Sequence, residues 1–183
     1  EKATIKDIST EAINKFKQLV SKRIPNFLNE KNILTLLKKL ELAEGNKLTK
    51  AAILLFGKNP QHFFPSSYIK IGKFVTDSDV VSSDDVEGNI FNQVDSAVEI
   101  IKTKYLISKI RYEGIYRKED LEYPEDALRE AIINAVIHRD YIGTHTQLRI
   151  YPDKLNLWNE GILPPEIKIE DLKKKHLSRP RNE

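Results

Sequence analysis

The sequence has 183 residues and a net charge of +3, and its 40% hydrophobic and 31% charged residues are ordinary proportions for a soluble globular protein. The absence of cysteine excludes disulfide bonds and thiolate metal sites, and it fits a cytoplasmic location. No apolar run approaches the roughly 20 residues of a membrane-spanning helix, and the small net charge does not by itself indicate nucleic-acid binding.

The first part of the chain is predicted to be helical. Ser9 can cap a helix that runs to about Arg23, because a serine hydroxyl accepts a hydrogen bond from the first helical turn. A second helix is expected over about 30–40, where leucine and isoleucine recur at helical spacing. Thr49 is expected to cap a third helix that ends at Gly57. We therefore assign residues 1–60 to a helical connecting segment.

The middle of the chain is predicted to change from helix to strand and back. Alternating side chains predict a strand over Tyr68–Phe74, with Ile69 and Ile71 on its buried face. Residues 77–87 are acidic and rich in serine, so we expect an exposed loop there. A long amphipathic helix is expected from about Ile90.

A helix that follows Pro124 carries a stripe of polar residues. Glu130, Asn134 and His138 are spaced four apart, so they project from one face of an otherwise apolar helix. A glutamate with an asparagine one turn later can orient water and offer a hard oxygen to Mg²⁺. A purely exposed polar seam is the structural alternative.

A hairpin and a short polar segment follow the stripe helix. Residues 146–151 and 154–158 alternate with period two, and Pro152 and Asp153 between them suit the centre of a type I turn. Asn159, Glu160 and Gly161 come directly after the second strand. The order is therefore a helix with E-x-x-x-N-A, a hairpin, and N-x-G.

This order resembles the GHKL ATPase superfamily of gyrase- and MutL-type ATPases. There, E-x-x-x-N-A is the N box, and a strand pair leads into a D-x-G-x-G loop that meets adenine. Residues 127–141, 159–161 and 178–182 look more closely like the degenerate GHKL-type domain of predicted transcriptional regulators, often labelled RecG-related ATP-dependent DNA helicases. Residues 48–60 look like that family's connecting region, which follows a Schlafen/Alba-like domain.

The resemblance implies specific roles for the polar residues. Glu130 would be the water-activating carboxylate and Asn134 the Mg²⁺ ligand. Asn159 would stand where the family has its adenine-reading Asp, Gly161 would be the loop glycine, and His138 is grouped with the nucleotide-binding residues. The implied cofactors are ATP and Mg²⁺.

We accordingly expect an α/β fold, an α+β sandwich with helices on one face of a largely antiparallel sheet and a GHKL-like domain over 61–183. The expected function is a nucleotide-binding regulatory module of a DNA-linked transcriptional regulator, which would contact DNA through other domains. The first residue is Glu, and no second glycine-rich phosphate loop precedes Glu183. We therefore expect an internal fragment that binds ATP weakly and does not turn it over.

Other interpretations of these residues stay open. The chain could be a non-catalytic interaction or dimerisation module, forming a homodimer, in which the stripe satisfies buried hydrogen bonds. His138 could cap its helix or, with His145, contribute to a metal site. The basic run 173–181 could track the phosphates of a nucleotide or of DNA, although such runs are commonly solvated tails.

Overall fold

The computed structural model describes residues 2–21, 29–106, 109–113, 116–120 and 122–161. The chain divides into two compact units. Unit 1 comprises Glu1–Tyr68 and Glu87–Gln93, and unit 2 comprises Ile69–Val86 and Val94–Glu183. The first unit thus extends beyond the boundary at residue 60 that the sequence analysis assigned, and it includes a short later segment.

Five α-helices and eight strands are described. The helices are α1 (Thr10–Val20), α2 (Ile33–Lys39), α3 (Lys50–Phe56), α4 (Ile90–Ile100, followed by a π-helical turn over Ile101–Tyr105) and α5 (Glu125–Ile137). The strands are β1 (Ala43–Glu44), β2 (Lys47–Leu48), β3 (Ile69–Phe74), β4 (Val80–Val86), β5 (Lys109–Glu113), β6 (Tyr116–Asp120), β7 (Thr146–Ile150) and β8 (Leu155–Trp158). Within these ranges, no helix is long and apolar enough to cross a membrane.

Side-chain caps define where the helices of unit 1 begin. The Ser9 hydroxyl accepts a hydrogen bond from the Ala12 amide at 3.2 Å, and the Thr49 hydroxyl accepts one from the Ala52 amide at 3.2 Å. Both predicted caps are confirmed. The second helix begins later than expected, because Asn32 caps it. The core of this unit is apolar and contains Ile8, Ala12, Ile13, Leu36, Leu37, Ile53 and Phe56.

Unit 2 is organised around a four-stranded sheet in the order β4-β3-β7-β8. β3 pairs in parallel with β7, while the β3–β4 and β7–β8 pairs are antiparallel. Ile69 and Ile71 are fully buried on one face, as their alternation predicts. We call this the inner face and the opposite one the outer face. The chain therefore has an α+β fold with helices and a largely antiparallel sheet, which confirms the expected class.

The prediction of an exposed loop over 77–87 is wrong, because most of it forms β4. Asp84 lies beside Ile71 in the sheet and therefore on the inner face. Its carboxylate accepts a hydrogen bond from Lys104 Nζ at 2.7 Å and another from the Tyr105 hydroxyl. A carboxylate can occupy this face because the turn after α4 supplies both donors. The sequence pattern of β4 concealed the strand, since its middle is Ser-Ser-Asp-Asp.

This arrangement predicts an acid-dependent loss of stability. The hydrogen bonds from Lys104 and Tyr105 hold the pKa of Asp84 below its ordinary value. A carboxyl with a lowered pKa stabilises the fold above its unfolded-state pKa, about 3.9 for Asp, and this contribution disappears as pH falls through the folded-state pKa. We expect Asp84→Asn to flatten the stability profile between pH 5 and 3, as measured by urea unfolding, relative to Asp85→Asn. An unchanged slope would contradict this role of Asp84.

Candidate functional site

The polar stripe lies on the solvent side of α5. Glu130 and Asn134 are exposed and His138 is half-buried, whereas Leu128, Ile132, Ala135 and Val136 are buried on other faces of the helix. Within this chain, the stripe therefore does not satisfy buried hydrogen bonds, as the interpretation of an interaction module expected.

Glu130 and Asn134 contact each other directly. Asn134 Nδ2 donates a hydrogen bond to Glu130 Oε1 at 3.0 Å. This bond fixes the orientation of the carboxamide and turns Asn134 Oδ1 away from the carboxylate. The pair thus offers one anionic oxygen group and one neutral oxygen, one helical turn apart, on an accessible surface.

His138 ends the helix. It is the C-terminal capping residue of α5, and its amide donates to the carbonyl of Asn134 at 3.0 Å. His138 thus occupies the C-cap position, and an interaction of its imidazole with the helix end stays a prediction. Its ring stays a candidate for nucleotide contact only through its place on the stripe.

The loop after α5 is anchored by two large side chains. Arg139 is fully buried, and its guanidinium carbon lies 4.8 Å from the centroid of the Tyr141 ring. The Tyr141 hydroxyl donates to the carbonyl of Val136 at 2.9 Å. Burial raises the pKa of Tyr141 to about 12, although the charge of Arg139 acts in the opposite direction. These contacts fasten the loop to the last turn of the helix.

Glu160 connects this loop to the segment that follows β8. Its carbonyl accepts a hydrogen bond from the Asp140 amide at 2.9 Å, and its Oε2 accepts one from the Thr144 amide at 2.7 Å. Gly143 leaves the space that the carboxylate fills, since a Cβ there would be 2.0 Å from Oε2. Glu160 and Gly143 are not among the site residues predicted from the sequence. The only signal was a glycine in the loop and an acid inside N-x-G.

The contacts of Glu160 bring the segment 159–161 to the C-terminal end of α5. Asn159 is half-buried, and its Nδ2 donates to the carbonyl of Glu160 at 3.3 Å, while Gly161 is exposed. Asn134 lies one turn before the end of the same helix. That Asn134 and Asn159 line one cavity stays a prediction.

A test of the Glu160 contacts uses Gly143→Ala. We expect the new methyl group to displace the carboxylate and leave the Thr144 amide without its acceptor, at a cost of about 1 kcal/mol. Urea unfolding and amide exchange at Thr144 would measure the loss. Repeating the substitution in a Glu160→Ala background provides the control, because the extra cost should vanish there. An equal loss in both backgrounds would show that Gly143 acts independently of Glu160.

Metal ligands near this site are sparse. Over the residues whose placement is described, no three His, Asp or Glu side chains come close enough to hold a metal ion. His145 lies in a cationic setting instead, where burial and then the charge of Lys70 lower the pKa of its imidazole. The basic run 173–181 lies outside the described residues.

Comparison with known proteins gives the fold but no activity. Residues 1–70 match the model of DUF8451, a domain of unknown function, and this match covers less than half of the chain. A search of curated proteins found no match. Among solved structures, the DIP2311 protein from Corynebacterium diphtheriae is similar, with a TM-score of 0.67 and 24% identity over 93% of this chain. The chain spans about a third of that protein, since the likeness covers 34% of its length. This similarity establishes the α+β fold.

Proposed function

We propose that the chain is a nucleotide-binding regulatory module, in which Mg-ATP binds beside α5. The observation that carries the proposal is the exposed pair Glu130 and Asn134 on α5. The loop that follows this helix is hydrogen-bonded to Glu160, which lies between Asn159 and Gly161. In the GHKL-type domains that the sequence resembles, the corresponding motifs meet the two ends of one nucleotide.

The neutral side-chain oxygen of Asn134 suits a cation site that is completed by a nucleotide. Mg²⁺ usually keeps several waters and is bound by one or two protein oxygens together with substrate phosphates. Asn134 Oδ1 suits one such ligand, and ATP, when bound, would supply phosphate oxygens for the others. The chemistry of the residues therefore fits Mg-ATP better than a cation held by protein alone.

Glu130 has the chemistry of a general base in this proposal. It is exposed, so water can reach its carboxylate, and its bond from Asn134 orients it. Such a carboxylate can accept a proton from water as that water attacks a phosphoryl group. Asn159 would recognise the adenine amine through its carbonyl oxygen, and Gly161, which has no side chain, would let the base approach the backbone.

The proposal extends to the whole protein through the sequence resemblance. The module would report nucleotide binding to DNA-contacting domains of a cytoplasmic transcriptional regulator. Isothermal titration of the full-length protein with ATP tests it, in Mg²⁺ and again in EDTA. We expect saturable binding that requires Mg²⁺. An absence of binding at millimolar ATP, or equal binding in EDTA, would contradict the proposal.

A second candidate is a dimerisation module. The observation in its favour is that β4 is an edge of the described sheet with two exposed valines, Val80 at 52% and Val81 at 59%. Exposed edge strands can pair with a second chain. Self-association in sedimentation velocity that Val81→Lys abolishes, without any nucleotide binding, would favour this candidate.

A further inference from the structure

The outer face of the sheet carries a group of aromatic, amide and basic side chains. In the register of the strands, Gln147 lies opposite Trp158 and Arg149 lies opposite Asn156. On the next strand, Lys70 lies beside Gln147, and Phe74 continues the same alternation. We call these six residues the outer-face cluster; it lies on the opposite side of the sheet from Ile69 and Ile71.

Two shallow cavities run along this cluster. One has a volume of about 310 Å³ and is lined by Gln147, Arg149, Asn156 and Trp158. The other, also about 310 Å³, includes Gln147, Arg149 and Phe74 among its lining residues. Because the two cavities share Gln147 and Arg149, they form neighbouring positions along one surface.

The aromatic rings offer flat surfaces to a ligand. Trp158 is 46% exposed, although tryptophan usually buries its ring. The Phe74 ring lies back over Gly72, where a Cβ would be 2.6 Å from the ring. The guanidinium carbon of Arg149 lies 5.7 Å from the Phe74 ring centroid, and Tyr151 stacks on Phe74 at 5.4 Å between centroids. One end of this face therefore carries a planar stack of Tyr151 on Phe74, and the exposed indole of Trp158 lies opposite Gln147 toward the other end.

The charge of this surface is positive. The charge of Lys70 is balanced by Asp85, which it contacts at 2.5 Å, whereas Arg149 donates to the neutral side-chain oxygen Oε1 of Gln147 at 2.7 Å. In the described ranges, no carboxylate forms a salt bridge with Arg149. Lys154, at the adjoining turn, lies 5.0 Å from the Tyr151 ring centroid. Excess cations next to aromatic rings complement a phosphate backbone whose bases are unstacked.

We propose that the outer-face cluster binds single-stranded nucleic acid. A base would stack on Trp158, the amides of Gln147 and Asn156 would meet base edges, and Arg149 would contact phosphate. Sheet surfaces with exposed aromatics bind splayed single strands in this way, whereas bases inside a duplex cannot stack on protein. The charged and amide groups between the rings disfavour an apolar protein partner. This site is separate from the one proposed for nucleotide, and either can fail without the other.

The single tryptophan of the sequence makes binding directly observable. We expect a fluorescein-labelled oligothymidylate to raise its anisotropy on adding the full chain and to quench the Trp158 fluorescence. Trp158→Ala should weaken binding at least fivefold, since base stacking contributes about 1–3 kcal/mol. Trp158→Phe should retain most of the affinity because it keeps a ring.

The electrostatic part is tested through salt dependence. Arg149→Gln should weaken binding and reduce the slope of log affinity against log salt by about 0.7, the value for one phosphate contact on a single strand. The matched control is Lys47→Gln, which removes an equal charge from an exposed position of unit 1. This variant should show the same salt dependence as the wild type.

Three results would overturn the proposal. The first is no binding by the wild type at low salt. The second is binding that Trp158→Ala and Arg149→Gln leave unchanged while neutralising Lys173, Lys174 and Lys175 abolishes it, which would locate the contact in the basic run. The third is self-association that Trp158→Ala removes, which would assign the surface to a second copy of the chain.

Discussion

Asn134→Ala is expected to weaken magnesium-dependent ATP binding by one to two orders of magnitude while leaving the fold nearly intact. Loss of a bond to a charged group costs about 1.5–3 kcal/mol, which corresponds to a roughly 10- to 150-fold weaker affinity. Asn134 is exposed on α5, so its removal should change the free energy of unfolding by no more than about 0.5 kcal/mol. Isothermal titration and thermal unfolding of the same full-length variant measure the two effects.

Two further variants sharpen this test. Asn46→Ala removes an exposed asparagine from unit 1 and should leave ATP binding unchanged. Glu130→Gln keeps a hydrogen-bond acceptor for Asn134 but removes the base, so it should retain binding and lose any hydrolysis. Wild-type affinity in Asn134→Ala would rule out this residue as the cation ligand.

Ile71→Ala is expected to give the largest loss of stability. Ile71 is fully buried on β3, a central strand with partners on both sides. Truncating a buried isoleucine to alanine removes apolar contacts and leaves a cavity, at a cost of about 2–5 kcal/mol. Urea unfolding followed by circular dichroism would measure the shift in midpoint.

The matched control for Ile71 is Val81→Ala. Val81 is on the neighbouring strand but is 59% exposed, so its truncation should cost less than about 0.5 kcal/mol. Similar losses for the two variants would show that the inner face of the sheet is not the core of unit 2.

Local chemistry made most of the fold predictable. Ser9 and Thr49 cap their helices within three residues of chain, and the Ile69 and Ile71 alternation follows from strand geometry. The hairpin closes as expected, with the Tyr151 amide donating to the Lys154 carbonyl at 2.8 Å. β4 was missed because the donors that make its inner carboxylate acceptable, Lys104 and Tyr105, come from a distant part of the chain.

The candidate site was predictable only where its residues share one helix. Helical spacing alone places Glu130 one turn from Asn134, and the structure adds their hydrogen bond. The role of Glu160 depends on tertiary contacts with Thr144 and on the missing side chain of Gly143, and no local pattern encodes those. The outer-face cluster comes from three strands, and only the pairing of those strands in the sheet brings its members together.

The central claim, that one nucleotide bridges α5 and the segment after β8, is tested most directly by a crystal structure of the full-length protein with Mg²⁺ and a non-hydrolysable ATP analogue. We expect Asn134 Oδ1 at about 2.0–2.1 Å from Mg²⁺ and the Asn159 carboxamide within hydrogen-bonding distance of the adenine amine. A nucleotide bound elsewhere, or Asn134 and Asn159 on opposite sides of the unit, would contradict the claim.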